Sequence, residues 1–354
     1  MIGPDIVHPA LCQMSSQFQI PLALATIAFV ATLVLTPIVR AAALHFGVVD
    51  RPGELKIHTA AIPRLGGIAM VFGLGLAVAI APAAWRPANA VLFILGITWL
   101  LGATDDLKSI PAIGRLVVQL AAGSLLWFAN AGLNISGNGF VDVGLTALFF
   151  SFTVNAWNLL DGMDGLALSV SAVAALGFAA LFYSGADRAG LLLSSLTFSV
   201  CVAALFYNRP PASIFIGDSG STLLGAIFAI LSLGWVHQLP ATRSLFVPLL
   251  FVAIPLGDAV AAMIRRLRAG KSPFSGDRSH FYDLLRSQNW TVPLIVIVSA
   301  AATAGFAGLG IVAAHGIVDP RWIAIAAAAL ICVLGLFIGS FAQRPISPST
   351  LEDR

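Results

Sequence analysis

What this sequence has least of is charge. Acidic and basic residues together make up 10% of its 354 positions, against about 25% in a soluble domain of ordinary composition. That deficit argues against a water-soluble enzyme. Cysteine is almost as scarce. Of three residues, Cys12 falls in the N-terminal tail, and Cys201 and Cys332 fall inside apolar runs. Neither a disulfide framework nor a metal-ligand spacing can be built from them. The opening MIGPDIVHPALCQMSSQ carries no basic n-region, so the first apolar run, Ile20 to Val39, is expected to be a retained helix rather than a cleaved signal. The formal net charge is only +3, and no nucleic-acid partner is expected.

What the chain has in abundance is apolar surface: 58% hydrophobic residues and a mean hydropathy of +0.94. Runs near twenty residues recur along most of its length, each long enough to cross a bilayer core of about 30 Å as a helix. The weak alternation of barrel strands is absent. The expected fold is all-α: a polytopic integral membrane protein of about eleven transmembrane helices (ten is the alternative), forming a single domain over 1–354. The spans fall near 18–39, 64–84, 88–104, 111–130, 142–158, 165–184, 189–207, 220–237, 244–264, 291–314 and 321–341. Threaded alternately, they leave only Arg86, Arg188, Arg243 and Arg321, of nineteen Lys and Arg residues, on one side. The basic-rich side is then cytoplasmic. The N-terminus is expected outside (periplasmic), the C-terminus inside, and 265–290 forms a basic cytoplasmic loop.

Four polar clusters interrupt the apolar pattern, all at cytoplasmic helix ends on this threading. GATDDLKSIP holds Asp105 and Asp106; NAWNLLDGMDGL holds Asn155, Asn158, Asp161 and Asp164; NRPPASIFIGDSGST holds Asn208 and Asp218; SPFSGDRSHFYDLL holds Asp277, Arg278, His280 and Asp283. Any one Asp beside a Gly is an ordinary cap or turn. Four such clusters on one face, with basic loops between them, point instead to phosphate handling with a divalent ion. Carboxylates and amide oxygens are hard ligands suited to Mg²⁺, which takes one or two carboxylates plus phosphate and water. Adjacent Asp105 and Asp106 diverge on a helix, so one is free for a metal and the other for a proton or a lysine. In PRLGG, Arg64 stands at a helix start. Asp258 lies seven residues before Arg265, about 10 Å deeper along a helix. An ionisable group there is a functional candidate by default, with helix packing as the equal alternative.

In this order, KIHTAAIPRLGGIAM, GATDDLKSIPAIGR, NAWNLLDGMDGLA, PPASIFIGDSGS and PLGDAVAAMIRRLRAGKSPFSGDRSHFYDLL resemble the polyprenyl-phosphate N-acetylhexosamine-1-phosphate transferases. That superfamily includes the initiators of envelope polysaccharides and the phospho-MurNAc-pentapeptide translocase of peptidoglycan synthesis. The resemblance implies transfer of a sugar-1-phosphate from a UDP-N-acetylhexosamine to undecaprenyl phosphate, with release of UMP, at the cytoplasmic face of a bacterial inner membrane. It implies Mg²⁺, or Mn²⁺, held by Asp218 with Asn158. Asp105 and Asp106 match the family's aspartate pair, and Asp161 and Asp164 match carboxylates near the nucleotide. These four, with His280, are the expected catalytic groups. Lys56, Arg64, Asn155, Asp164, Arg278 and His280 are the expected substrate contacts. Membrane lipid is a further partner, and a homodimer is allowed. The loop departs from the histidine-rich family form: Phe281, Tyr282 and Asp283 stand where further histidines would fall. That favours an initiator over the translocase. A secondary transporter is the alternative from another class; its ionisable residues would lie near the midplane.

Overall fold

The computed structural model describes residues 7–51, 61–236, 245–270, 272 and 280–328, with side chains from residue 19 onward. The chain is helical, as expected. Its helices are α1 (Val7–His45), α2 (Gly66–Ile80), α3 (Asn89–Leu107), α4 (Ala112–Phe128), α5 (Gly139–Leu160) and α6 (Leu166–Ser184). There follow α7 (Arg188–Asn208), α8 (Gly217–Val236), α9 (Phe246–Phe251), α10 (Ala253–Arg268), α11 (Phe281–Ser287) and α12 (Val292–Ala314). Residues 320–328 are also helical. A two-residue ladder pairs Val49–Asp50 with Ile62–Pro63, antiparallel.

Seven stretches are long and apolar enough to cross a membrane: Gln19–His45, α3, α5, α6, α7, α8 and α12. The shorter apolar helices α2 and α4, of 15 and 17 residues, reach only about 22–26 Å at 1.5 Å per residue. The expected span at 244–264 is not one continuous helix. It breaks at Val252 into α9 and α10. Pro255 has no N–H to offer the Phe251 carbonyl and its ring crowds that group, so the helix stops and restarts where proline is tolerated, in a first turn. Of the expected last span, only 321–328 lies within the described residues.

α8 is the axis of the bundle. Of its most apolar window, 94% is buried inside the protein, against α2, α3 and α5, with α6, α7 and α9 also in contact. α1 lies on α2 and α7, α4 on α5, and α12 on α6. Phe228 of α8 stacks on Trp157 with centroids 4.5 Å apart, and the Trp157 indole donates to Ser171 Oγ at 2.8 Å. The outward faces carry exposed Phe72, Phe93, Leu100, Ile113 and Phe128. Such apolar surface suits a hydrocarbon solvent, and helices satisfy their own backbone there.

The two ends of the bundle differ. At one end, the Arg188 guanidinium lies over the Trp85 ring, 5.7 Å from its centroid. At the other end, three connections are stitched together. Asn208 Oδ1 accepts the Gly165 N–H at 2.9 Å, and its amide donates to the Ile214 carbonyl at 3.0 Å. Asp164 accepts the Ala212 N–H at 2.9 Å. The N–H groups of Gly66 and Gly67 donate to the Phe215 and Ile216 carbonyls, both at 2.9 Å. These bonds fix the start of α8 against the starts of α2 and α6.

A candidate phosphotransfer site

The first turn of α8 is held by a carboxylate from another helix. Asp106, at the end of α3, accepts the backbone N–H of Asp218 through Oδ1 and that of Ser219 through Oδ2, each at 2.9 Å. Two of the four N–H groups that a helix start leaves unpaired are thereby satisfied. The contact needs a glycine at 217. Its φ is +71°, and a Cβ there would sit 2.5 Å from Asp106 Oδ1.

Asp105, on the next position of α3, turns the other way. Its Oδ1 accepts the Ile110 N–H at 2.6 Å and its Oδ2 accepts Arg115 Nη1 at 2.5 Å. The same Arg115 nitrogen is 4.0 Å from Asp218 Oδ2, so one guanidinium lies between the two carboxylates. Asn158 Nδ2 donates to Asp218 Oδ1 at 2.5 Å and to Ser221 Oγ at 3.0 Å. Of these carboxylates Asp218 is the open one: its side chain is 29% exposed, that of Asp105 only 5%.

Asp161 follows the last residue of α5 and is half-buried. Burial, reinforced by the charges of Asp218, Asp106 and Asp164, holds its carboxyl well above the usual range, with Arg64 pulling the other way. Arg64 pairs with buried Asp50 across the two-residue ladder. Asn155 points elsewhere: its amide donates to Gln119 Oε1 at 2.5 Å and to the Ser151 carbonyl at 2.8 Å, tying α5 to α4.

His280 is buried, 4% exposed, at the N-cap of α11. Its Nδ1 lies 2.6 Å from Asp258 Oδ2. Lys56 and Arg278 lie outside the described residues. Arg115 was not singled out by sequence as a site residue, and its signal was a lone cation in an apolar helix beyond the SIP turn. Asp258 was singled out but given no partner.

Asp105, Asp106, Asn158, Asp161, Asp164 and Asp218 are thus gathered at one end of the bundle from α3, α5, the α5–α6 turn and α8. Among the described residues, no group of three or more His, Cys, Asp or Glu side chains forms a ready metal cage. Two carboxylates that flank one guanidinium, with an amide beside them, fit an ion that takes only one or two protein carboxylates and completes its shell with phosphate and water.

A model described as "Glycosyl transferase family 4" matches residues 88–236. A protein named "Probable undecaprenyl-phosphate N-acetylglucosaminyl 1-phosphate transferase" of Bacillus subtilis (strain 168) is 31% identical over 286 residues, 77% of this chain and 79% of the relative. The undecaprenyl-phosphate alpha-N-acetylglucosaminyl 1-phosphate transferase of Escherichia coli O157:H7 is 32% identical over 307 residues, 80% of this chain and 81% of the relative. That of Yersinia pestis is 29% identical over 308 residues, covering 82% and 83%. This chain belongs to the polyprenyl-phosphate N-acetylhexosamine-1-phosphate transferase family. Like other members of that family, it is a multi-pass membrane phosphotransferase. The family match runs from the start of α3 to the end of α8. It therefore holds the whole carboxylate cluster but neither Asp258 nor His280.

Proposed function

We propose that this transferase moves an N-acetylhexosamine-1-phosphate from a UDP-sugar to undecaprenyl phosphate, releasing UMP, at the cytoplasmic face of a bacterial inner membrane. The product would begin an envelope polysaccharide. The observation that supports this reading best is the cluster of Asp105, Asp218, Asn158 and Asp161 around the tip of the buried helix α8. The acceptor's chain lies in the bilayer and the nucleotide in water, so their phosphates meet only at a helix end.

Two anions must approach each other. A lipid-phosphate oxygen attacks the sugar-bearing phosphorus of the donor, the bond to the UMP oxygen breaks, and UMP leaves. Such a transfer needs alignment and charge neutralisation more than covalent help. Asp218 and Asn158 would hold Mg²⁺ or Mn²⁺, which supplies charge stabilisation at the phosphoryl oxygens. Arg115 stands between Asp105 and Asp218 and offers the remaining guanidinium N–H groups to a phosphate. Arg64 adds a second positive charge beside Asp106 and Asp161. Asp106, with both oxygens on backbone N–H groups, fixes where Asp218 stands. Asp105, engaged with Arg115, orients that clamp.

The test is UMP release by purified protein given undecaprenyl phosphate, Mg²⁺ and a panel of UDP-N-acetylhexosamines, 6-deoxy forms included. Release that depends on lipid and metal, with one preferred donor, is expected. Folded protein that releases no UMP with any of them overturns the reading.

A further inference from the structure

The carboxylate cluster accounts for neither Asp258 nor the burial of His280. Asp258 lies in α10, 4% exposed. It accepts two hydrogen bonds from one short segment: Oδ1 from the Phe281 N–H at 2.8 Å, and Oδ2 from His280 Nδ1 at 2.6 Å. A cap on α11 needs only the first of these. The second fixes the imidazole, because a carboxylate only accepts and the hydrogen must then be on Nδ1. The other ring nitrogen, Nε2, faces Arg266 Nη2 at 3.4 Å. A guanidinium only donates, so it requires a bare Nε2. The two neighbours thus demand one and the same tautomer. The ring also stacks on Tyr282, with centroids 5.5 Å apart and planes 9° from parallel. The Tyr282 hydroxyl donates to the Leu159 carbonyl at 2.9 Å, between Asn158 and Asp161 in sequence. The chain of contacts from Asp258 therefore ends on the segment that carries the candidate metal and nucleotide groups.

We infer that Asp258 is a positioning residue for the transfer: it holds His280 in the Nδ1–H form between its own carboxylate and the buried Arg266 guanidinium, and so fixes Tyr282 against the segment that carries Asn158 and Asp161. This rests on the proposed transferase reading. It differs from the resemblance-based expectation that His280 itself touches the diphosphate or sugar. His280 acts through Tyr282 and the Leu159 carbonyl that Tyr282 holds, and the imidazole never needs to reach substrate.

Asp258→Asn is the discriminating change. An amide has one accepting oxygen, and both neighbours of Asp258 donate. One of them must then face an NH₂ group, and the imidazole is the one able to respond, by moving its hydrogen to Nε2. An N–H would then point at Arg266. The experiment is nitrogen NMR on ¹⁵N-histidine-labelled full-length protein in nanodiscs. The chain has six histidines, and the His280 signals are those lost in His280→Asn. The expected result is hydrogen on Nδ1 in the parent and on Nε2 in Asp258→Asn. In steady state the donor KM should rise about tenfold, the scale of one lost charge-assisted hydrogen bond, with the acceptor KM unchanged. Hydrogen on Nε2 in the parent, or an unchanged tautomer in Asp258→Asn, overturns the proposal, as does an equal rise in both KM values. If Asp258→Asn fails to fold, His280→Asn carries the test. Its amide nitrogen replaces Nδ1 and keeps the bond to Asp258, but nothing replaces Nε2. A folded His280→Asn protein with the parental donor KM overturns the proposal. If the parent transfers no sugar from any donor, the transferase reading fails by itself, while the tautomer result still decides whether Asp258 sets the ring.

Discussion

Asp106 and Asp218 are 112 residues apart in sequence, yet the carboxylate of the first accepts the backbone N–H of the second at 2.9 Å. One aspartate of the α3 pair thus acts as the cap of the helix that carries the candidate metal ligand. Asp106→Asn keeps one accepting oxygen and loses the other. The expected cost is about 1–3 kcal/mol, the penalty for a buried donor left unpaired. Thermal unfolding in detergent should show it as a lowered Tm, alongside reduced turnover. An unchanged Tm would mean that the α8 start is held by the Gly66 and Gly67 contacts alone.

Asp218→Asn should behave oppositely. It removes one carboxylate of a crowded acidic cluster at an open position, so the protein should fold at least as stably as the parent. Turnover should fall by about a hundredfold or more, the scale of removing one electrostatic stabiliser. Mn²⁺ binding, read by electron paramagnetic resonance, should weaken in parallel. Normal activity in this variant would remove Asp218 from the metal site.

Chelation separates the metal from the fold. EDTA should stop UMP release, and excess Mg²⁺ or Mn²⁺ should restore it. Full turnover in EDTA would leave charge neutralisation to cationic side chains, Arg115 and Arg64 among them.

Asp161 sets a pH dependence. Its carboxyl is raised by burial and by the surrounding carboxylates, so over the pH range between the ordinary carboxylate value and the raised one the folded protein binds more protons than the unfolded chain. Its contribution to stability is complete below the ordinary value and is lost as pH rises through the raised one. In EDTA, Tm should therefore decline with rising pH across that window, and Asp161→Asn should flatten the decline. A steeper decline in the variant would show that Asp161 is stabilised as a carboxylate instead.

Gly102 tests how tightly α3 and α8 must pack. A Cβ there would lie 2.6 Å from the Asp218 carbonyl carbon. Gly102→Ala should cost about 1–3 kcal/mol by overpacking and should lower turnover by displacing Asp218. Wild-type turnover with a lowered Tm would uncouple packing from the site.

Much of this was legible in the sequence because bilayer crossing imposes a length and a polarity that few residues escape. GATDDL, NAWNLLDG and GDSGS stood out as oxygen-rich helix ends, and the structure brings them together. Adjacent Asp105 and Asp106 were expected to diverge, and they do. Nothing local could say that one would meet an arginine and the other a helix start, since both partners are tertiary. Asn155 has the same side chain as Asn158, three positions away, yet it meets Gln119 of α4 while Asn158 meets Asp218. A three-residue step turns the helix far enough to change neighbours. The break at Val252 was hidden by apolar residues on both sides of it, though Pro255 marked it.

The cap on α8 also bears on how the protein is made. α3 leaves the ribosome long before Asp218 does, so Asp106 is made without the two N–H groups it will hold. A chain stopped before Ile216 would contain Asp105, Arg115, Asn158 and Asp161 and would still have no site. The candidate metal site is therefore completed late in synthesis, with the insertion of α8.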